Sequence, residues 1–502
     1  MNYPVWDVAF GRWIIALIAV IHVFISQFAI GGGLFMVWME HRGRATEDPA
    51  LRQWLKRFAR FFAFWTLVVG AVTGVGIWFT IGLISPEATS ALIRTFVWVW
   101  AIEWVFFLVE IVSLLVYVYG WEVLPRKTHL AVGWIYFASA YLSLVAIDGI
   151  LAFQLTPGPW MEKPSLAAAF FNPHFLPSLG FRTLLCLVLA GAYALAAAAP
   201  LSDRILKAEV AKPAALWVAL PALVLLPSAW GVFRLLPTER RDVLWASPSV
   251  LHAAILLGAA LLHLFFLSLF LVYRRPRTFG RLASLILLLF AFAAVGATEW
   301  AREGLRKPFL VPGYVYANHV SSPDLPLLRE KGLLASWPYA RQTAVSGREA
   351  EAGAEIFRVA CSACHGVSRG PRALRPRLSG LDLEYAAALV YRSDSMRAPM
   401  PPFPGTQEEA RAVAAFLLEG TQPREPEGGA QAFARRCAPC HTLQGSFRPL
   451  APAFKGMSLR DAADLVAAMD SINEKMPPWT GTDAELQMLA AFLTGPGAGG
   501  AP

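Results

Sequence analysis

The sequence predicts an all-α protein: a polytopic membrane helix bundle of about eight transmembrane helices, followed by two small helical domains. The chain of 502 residues is 56% hydrophobic and only 16% charged, a balance that is typical of membrane proteins and excludes an ordinary soluble domain. Its charged residues cluster between long apolar runs. From about residue 345 the composition changes to Gly, Pro, Ala and charge, and this tail repeats itself.

Eight apolar runs are long enough to cross about 30 Å of hydrocarbon, which takes roughly 20 helical residues. Because backbone groups in lipid must bond internally, we expect these runs to be helices. They are spans 1 to 8, near residues 8–38, 57–84, 94–124, 129–154, 178–200, 213–236, 249–273 and 279–304.

Basic residues predict the orientation of the spans. The loops after spans 1, 3, 5 and 7 are rich in Arg and Lys, and the others are poorer, apart from Arg234, Arg240 and Arg241 after span 6. We therefore expect the N-terminus and everything beyond residue 305 on the outer face. The first run lacks a basic start and a cleavage site, which favours an anchor over a signal peptide. The net charge of +9 lies largely in short loops and in the C-terminal third, so it indicates no nucleic-acid partner.

The tail contains two similar units, related by a shift of 76 residues. The first unit contains Gly353, Phe357, Cys361, Cys364, His365, Met400, Pro401, Pro402, Gly405 and Phe416. The second contains Gly429, Phe433, Cys437, Cys440, His441, Met476, Pro477, Pro478, Gly481 and Phe492. We predict a membrane domain over 1–315, a linker over 316–345, and small domains over 346–422 and 423–502.

Each unit opens with C-x-x-C-H, as CSACH at 361–365 and CAPCH at 437–441. Two cysteines at this spacing can form thioethers to haem, and the adjacent histidine can ligate the iron. Met400 and Met476, each 35 residues after its histidine, are the expected second ligands. Met396 competes with Met400 but has no counterpart in the second unit. Both units resemble class I cytochrome c domains.

Two alternatives to covalent haem are thioredoxin-like and zinc C-x-x-C motifs, which the following histidine and the matched methionine disfavour. With four cysteines assigned to haem we expect no disulfide, and Cys186 in span 5 is expected to be a packing residue. Covalent haem c is attached outside the bacterial inner membrane. The motif and the charge pattern therefore place the tail on the same side, the periplasmic face.

Ionisable residues inside the spans are few, and such residues are costly unless paired or bound. They are His22, Glu103, Glu110, Asp148, His263 and, near the outer ends, Arg182, His252, Glu299 and Glu303. Glu103 and Glu110 are two helical turns apart and share a face of span 3. Such a pair indicates a proton path or a ligand set, with simple capping by neighbouring hydroxyls as the alternative.

Four stretches resemble subunit I of cytochrome bd oxidases, in the same order along the chain. GRWIIALIAVIHVFISQFAIGGGLFMVWME resembles the first helix of that family, and WAIEWVFFLVEIVSLLVYVYGW resembles the third. FFNPHFLPSLGFRT resembles the start of the fifth helix, and TEWAREGLRKPF resembles the motif that closes the penultimate helix. The resemblance covers roughly residues 1–315.

The resemblance implies a role for several residues. His22 matches an axial ligand of one haem of the oxygen-reducing pair, and Glu303 matches the ligand of the other. Arg306 matches an arginine beside a haem propionate. Glu103 and Glu110 match acidic residues that line this pocket and the proton route. The alternative for His22 is a neutral imidazole bonded to a carbonyl.

Three departures from the family pattern concern a low-spin b haem and the proton path. Arg182 lies near the family's histidine ligand for this haem, and the methionine region reads SVLHAAILL. Either that haem is absent, or His174 or His252 replaces a ligand, while Arg182 could pair with haem propionates. Asp148 replaces a common asparagine, and it either extends the proton path or packs as a bonded acid.

Two further departures concern the source of electrons. The connection between spans 6 and 7 is short, LPTERRDVLWASPS, which leaves little material for a quinol site. The family's final transmembrane helix is missing, and the two haem c units take its place in the chain. Both changes favour electrons that arrive through haem c.

We therefore predict a terminal oxidase subunit. A periplasmic donor such as a small cytochrome c would reduce two covalent c haems, which would pass electrons to two non-covalent haems of b or d type for the reduction of O2 to water. A third, low-spin b haem is a further option. A second membrane subunit is expected as a partner. The alternatives are an electron-transfer subunit without oxygen reduction, and nitric oxide reduction at the same haem pair.

Overall fold

The structure is a computed structural model. It describes residues 11–46, 48–84, 86–318, 320–337, 340, 342–345, 347, 349–362, 364–370, 372–396, 400–445 and 447–495. The chain divides into two compact units, Met1–Arg306 and Lys307–Pro502. Within the described residues the only sheet is one small antiparallel pair, so the predicted all-α class is confirmed.

The membrane unit contains eight helices that are long and apolar enough to cross a membrane, counted over the described residues. These candidate spans are Ile14–Gly43, Pro49–Ile84, Leu92–Tyr119, Arg126–Phe153, Phe175–Ala198, Arg204–Arg234, Pro248–Tyr273 and Arg281–Leu305. They correspond in order to spans 1 to 8 of the sequence.

The helices of this unit are α1 Gly11–Thr46, α2 Pro49–Ala63, α3 Ala71–Ile84, α4 Pro86–Tyr119, α5 Arg126–Phe153, α6 Leu166–Phe170, α7 Phe175–Ala198, α8 Arg204–Arg234, α9 Thr238–Ala246, α10 Pro248–Leu267 and α11 Arg281–Leu305. Span 2 passes through a π-helical segment, Phe64–Gly70, between α2 and α3, and span 7 ends in another, Ser268–Tyr273. A short 3-10 helix covers Gly158–Met161.

Span 5 lies at the centre of the bundle. Its small residues Ala190, Ala192 and Ala194 are fully buried, which lets neighbouring backbones approach closely, as is usual for packed helices in membranes. Phe28 and Phe35 of span 1 are also buried in the same core. The polar groups of spans 1, 4, 5 and 8 are therefore held on helices that pack directly against one another.

The second unit begins with strands β1 Phe309–Val311 and β2 Val315–Tyr316. Its helices are α12 Leu325–Lys331, α13 Leu333–Ser336, α14 Glu349–Ala360, α15 Arg375–Leu378, α16 Leu383–Tyr391, α17 Gln407–Leu418, α18 Gly429–Arg436, α19 Ala451–Phe454, α20 Leu459–Ala467, α21 Met469–Ile472 and α22 Asp483–Thr494. Short 3-10 helices cover Ser322–Asp324 and Ser393–Ser395.

The 76-residue repeat is a repeat of structure. Helices α15, α16 and α17 of the first tail domain (Glu349–Leu418) recur at that shift as α19, α20 and α22 of the second tail domain (Gly429–Thr494). In each domain the first and last helices cross at a glycine. A Cβ on Gly353 would overlap the carbonyl oxygen of Ala412, and one on Gly429 would overlap that of Met488. Only glycine permits this close approach.

The segment before the first tail domain packs against that domain. Leu333 and Leu334 are buried in its core, and their backbone amides donate to the Glu409 carboxylate, each at 2.8 Å. Glu409 also closes a capping box with Thr406 at the start of α17. Part of the segment predicted as a linker, 316–345, therefore belongs to the folded second unit.

Candidate functional site

His22 contacts the segment of span 2 where the π-helix ends. Its Nδ1 lies 3.2 Å from the carbonyl oxygen of Gly70 and 3.2 Å from Oγ1 of Thr73. A carbonyl oxygen can only accept, so Nδ1 carries the proton and Nε2 is left with its lone pair. A second-shell bond of this kind orients most metal-bound histidines. The arrangement therefore fits the predicted iron ligand.

The backbone of span 2 leaves room for this imidazole. A Cβ on Gly74 would lie 3.0 Å from Cε1 of His22, which is tighter than ordinary packing. π-helical segments inside α-helices occur frequently at functional sites. The sequence analysis did not identify this segment, because FWTLVVG contains only Thr66 and Gly70 among apolar residues.

Glu303 and Arg306 form an ion pair one turn apart on span 8, with Arg306 Nε donating to Glu303 Oε2 at 2.7 Å. The Glu303 side chain is 41% exposed, and Arg306 Nη1 lies 3.4 Å from Gln154 Oε1. The Glu303 carboxylate thus lies at the open end of the helix, where it is accessible as a ligand. Arg306 supplies a positive charge beside it, which fits a neighbouring propionate.

The two proposed iron ligands lie at different depths. Spans 1 and 8 are antiparallel and meet where the rings of Phe24 and Phe292 pack 4.8 Å apart. At 1.5 Å per residue, His22 and Glu303 are then separated by roughly 14 Å along the helix axes. That distance is too great for both to bind one iron, and it fits two separate haems.

Arg182 lies in a buried ion-pair network that joins spans 4, 5 and 8. Its Nε lies 2.8 Å from Oδ1 of Asp148, and its Nη1 donates to Oε1 of Glu299 at 2.7 Å. Arg302 Nε bonds the other oxygen of Glu299 at 2.8 Å, and Ser178 donates to Asp148 at 2.8 Å. Arg182 therefore pairs with protein carboxylates. This geometry favours a structural role for Asp148.

The two histidines offered as replacement ligands differ in their surroundings. His174 is fully buried, with Nδ1 2.8 Å from Thr156 Oγ1 and Nε2 2.9 Å from the Val232 carbonyl. Iron ligation by His174 would require one of these bonds to break. His252 is exposed near the start of α10.

The two acidic residues of span 3 lie along its contact with span 4. Oγ of Ser143 on span 4 donates to Oε1 of Glu103 at 3.0 Å. Glu110 lies two turns further toward the C-terminal end of span 3 and is half-buried. A carboxylate bonded to a hydroxyl can accept and release a proton, so this face is suited to proton transfer.

A further buried cluster lies at the end of the bundle where spans 1 and 3 finish, and the sequence analysis did not identify it. Glu40 accepts from the Tyr117 hydroxyl at 2.8 Å and lies 3.0 Å from Nδ1 of His129. Nε2 of His129 donates to the Tyr117 carbonyl at 2.8 Å. The cluster joins spans 1, 3 and 4. Glu40 lies just beyond residue 38, the predicted end of span 1, so it falls outside the spans in which ionisable residues were sought.

The C-x-x-C-H motifs of both tail domains have the same geometry. Nδ1 of His365 donates to the Arg372 carbonyl at 3.0 Å, and Nδ1 of His441 donates to the Arg448 carbonyl at 3.0 Å. Both imidazoles therefore keep Nε2 for a metal. Burial lowers the pKa of His365, and the positive charges of Arg372 and Arg377 lower it further. The hydrogen bond to the Arg372 carbonyl acts in the opposite direction and raises the pKa. A neutral imidazole is the form that binds iron.

The four cysteines of the motifs are half-buried, and none of them forms a disulfide within the described residues. Burial raises the pKa of Cys361 and of Cys437 to about 12. Met400 and Met476 are also half-buried, and Arg397, Ala398 and Pro399 before Met400 lie outside the described residues. The residues present fit a covalent haem in each domain.

Arg436, immediately before the second motif, joins the two tail domains. Its guanidinium forms a bidentate pair with Glu485 at 2.7 and 2.9 Å and reaches Asp382 of the first tail domain at 3.3 Å. It lies between the rings of Tyr385 and Trp479, with centroids at 4.7 and 4.9 Å. The sequence analysis did not identify Arg436. The available signal was a difference between the two repeats, because the counterpart of Arg436 at the 76-residue shift is Ala360.

We expect Arg436→Ala to destabilise the second tail domain by about 1.5–3 kcal/mol, because Glu485 loses both charged hydrogen bonds. Denaturant unfolding followed by haem c absorbance measures this change. Arg435→Ala is the matched control, since Arg435 makes one bond to the Arg424 carbonyl at 2.8 Å. Equal stability losses in the two variants would contradict the assignment.

Comparison with known proteins agrees with the two parts of the chain. Residues 10–233 match the family model described as cytochrome bd terminal oxidase subunit I. Residues 348–417 and 424–493 each match cytochrome c oxidase, cbb3-type, subunit III. No curated protein matches the chain.

A solved structure, described as bd oxidase from Geobacillus thermodenitrificans, is similar in fold, with a TM-score of 0.50 and 15% identity. The similarity covers 60% of this chain and 88% of that one. The chain therefore joins a membrane domain of the cytochrome bd subunit I type to two cytochrome c domains, as the sequence predicted, and it is a haem-containing membrane oxidoreductase.

Proposed function

We propose that the chain is the haem-bearing subunit of a terminal oxidase that takes electrons from a periplasmic donor through two c haems and reduces O2 to water. The bound haems would supply the iron that carries electrons and binds O2. His365 with Met400 and His441 with Met476 would hold the c haems. His22 and Glu303 would each hold one non-covalent haem of b or d type.

One observation carries this proposal: the protonated Nδ1 of His22 faces Gly70, which leaves Nε2 for iron inside the bundle. His174 differs, because both of its nitrogens are hydrogen-bonded within the bundle. The depth difference between His22 and Glu303 supports two haems rather than one.

The connection between spans 6 and 7 supports electron arrival through haem c rather than from quinol. It consists of α9 and a few flanking residues, and Arg240 within it is buried, with Nη1 donating to the Arg306 carbonyl at 2.8 Å. A short connection fixed to the end of span 8 offers little surface for a second substrate.

Protons would be supplied along the contact of spans 3 and 4. Glu103 would hold a proton shared with Ser143, and Glu110 would pass protons from the inner side. Electrons moved into a low-dielectric interior need compensating protons, which gives these carboxylates their role. We assign no proton role to Asp148, because Arg182 pairs with it.

A second membrane subunit is the proposed partner within the membrane. Spans 2 and 3 expose many large apolar side chains, among them Val72, Phe79, Trp98, Val105 and Leu108. These faces suit lipid or another helical subunit. The proposed location is the bacterial inner membrane, with the cytochrome c domains on the periplasmic face.

Oxygen uptake by the purified protein tests the proposal. We expect rapid uptake with reduced cytochrome c and much slower uptake with quinol, and a pyridine haemochrome spectrum with two c haems and two further haems. Rapid oxidation of quinol would contradict electron arrival through haem c. Absence of uptake with all haems six-coordinate would favour the second candidate.

The second candidate is a membrane electron-transfer subunit without oxygen reduction. Arg182, near the family's low-spin histidine, is held by two carboxylates, which supports a changed low-spin site. Nitric oxide reduction at the same haem pair is the remaining alternative. Consumption of nitric oxide, measured with the same electron donors in place of O2 uptake, distinguishes it.

A further inference from the structure

The loop that follows the first C-x-x-C-H motif carries a concentrated positive charge. Arg369, Arg372 and Arg377 are all exposed, and we call these three residues the basic patch. Because the Arg372 carbonyl accepts from His365 Nδ1 at 3.0 Å, the patch lies on the loop that holds the proposed iron ligand.

The backbone fixes this loop. The amide of Leu374 donates to the Gly366 carbonyl at 3.0 Å, and that of Arg375 donates to the Val367 carbonyl at 2.9 Å. The Arg375 side chain anchors the loop to α17 through the carbonyls of Phe416 and Leu417, at 3.0 and 3.2 Å. The two ends of the loop that carries the basic patch are thus held by hydrogen bonds.

The second tail domain has the same loop without the patch. Leu450 and Ala451 make the equivalent backbone bonds to Thr442 and Leu443. At the 76-residue shift, however, Gly445 replaces Arg369 and Ala453 replaces Arg377. The fold of the loop therefore does not require these arginines.

The one arginine that both loops share is used differently. Arg448 Nη1 in the second tail domain donates to the Ser395 carbonyl of the first, at 3.0 Å. The second loop therefore faces the first tail domain. Arg372, its counterpart, is exposed.

The positive charge is local to this loop. Residues 346–422 contain nine arginines and nine acidic residues, so the domain as a whole is neutral. No acidic residue lies between 366 and 378. Arg411 of the same domain is neutralised by Glu349 and Glu384, whereas neither Arg369 nor Arg372 forms an ion pair with any residue that the structure describes.

We infer that the basic patch is the docking surface for an electron donor protein with an acidic face. The donor would lose one electron, and the ferric c haem held by His365 would gain it to become ferrous. Complementary charge would speed the encounter and orient the donor's redox centre toward the haem edge. This inference rests on the proposed function only in that the first tail domain receives electrons from a soluble protein.

An anionic lipid surface is the other occupant with suitable charge. The position of the patch favours a redox protein, because the loop that carries these charges also holds the proposed iron ligand. Such charges act over a Debye length of about 8 Å at physiological ionic strength. A lipid-binding surface would not need to lie on the loop that holds the proposed iron ligand. It could equally lie on the corresponding loop of the second tail domain, which lacks two of these arginines.

The test is stopped-flow reduction of the c haems in the full-length protein, held in nanodiscs of phosphatidylcholine alone. The donors are a prereduced acidic cytochrome c, a prereduced basic cytochrome c, and ascorbate. The variant Arg369→Gly/Arg377→Ala carries the residues of the second tail domain on the same backbone. We expect its rate constant with the acidic donor at low salt to fall about tenfold, and its salt dependence to flatten.

Two further variants complete the test. Arg369→Gln/Arg377→Gln removes the charges without glycine and should behave like the first variant. Lys331→Gln/Arg460→Gln removes two exposed charges of the same unit outside the loop and should leave the rate within about twofold. Rates with ascorbate, a small monoanion, should change much less than those with the acidic protein in every variant.

An unchanged rate with the acidic donor would overturn the inference, as would a faster reaction with the basic donor. An effect that appears only when anionic lipid is added to the nanodiscs would assign the patch to lipid, and would also overturn it. The measurement follows haem c reduction alone. A protein that consumed no oxygen would therefore refute the proposed function without affecting this result.

Discussion

A His22→Ala variant is expected to lose one non-covalent haem and at least about 100-fold of its oxygen uptake. Loss of a hydrogen bond to a metal-bound histidine already costs 10–100-fold in metal affinity or activity, and loss of the ligand itself should cost more. The pyridine haemochrome spectrum gives the haem content, and the two c haems, held by separate cysteines, serve as an internal reference for the amount of protein.

His263→Ala is the matched control. His263 also lies inside a span, but its Nδ1 bonds the Ala259 carbonyl of its own helix at 2.7 Å, and its ring stacks on Phe290. This variant should keep every haem and near-normal oxygen uptake. Should the His22→Ala protein retain both non-covalent haems, the imidazole would be only a hydrogen-bonded part of the bundle, and the proposed oxygen site would be refuted.

The parts of the fold that the sequence predicted are those encoded locally. The length and composition of one apolar run are enough to identify a span, so eight spans could be identified without knowledge of how they pack. The 76-residue repeat likewise predicted two similar domains. In both of them the histidine of the motif bonds the carbonyl seven residues later.

Contacts between distant segments could not be predicted in this way. The position of Arg182 in the sequence placed it near a histidine ligand of the family, but it could not show which helices contact the side chain. The sequence therefore left two alternatives open, pairing with haem propionates and a changed low-spin haem site. Its partners come from spans 4 and 8, far away along the chain. Arg436 was missed for the same reason, since Asp382 and Glu485 lie on opposite sides of it in sequence.

The network also explains two departures from the family pattern together. An arginine near a family histidine adds one positive charge to the membrane interior, and an aspartate in place of an asparagine adds one negative charge. The structure places these two side chains 2.8 Å apart. With Glu299 and Arg302 the network contains two acids and two bases, so it is electrically neutral. Each departure is costly alone, and together they compensate.

We expect Arg182→Gln to destabilise the membrane domain by about 3–5 kcal/mol, because it leaves the buried Asp148 and the partly buried Glu299 with one remaining guanidinium. Asp148 is fully buried, and the Arg182 side chain is 6% exposed, so solvent cannot replace the lost charge. Thermal unfolding in detergent, followed by tryptophan fluorescence, measures the loss, and the haem c absorbance reports the tail domains separately.

The double variant Asp148→Asn/Arg182→Gln restores neutrality and should recover part of the loss, with a coupling energy of about 0.5–3 kcal/mol between the two sites. Arg182→Lys keeps the charge but cannot bond two carboxylates in one plane, so an intermediate loss is expected. The two residues would be independent if Asp148→Asn lowered the free energy of unfolding equally in the Arg182→Gln variant and in the unaltered protein. Charge compensation across spans 4 and 5 would then be excluded as the reason for this residue pair.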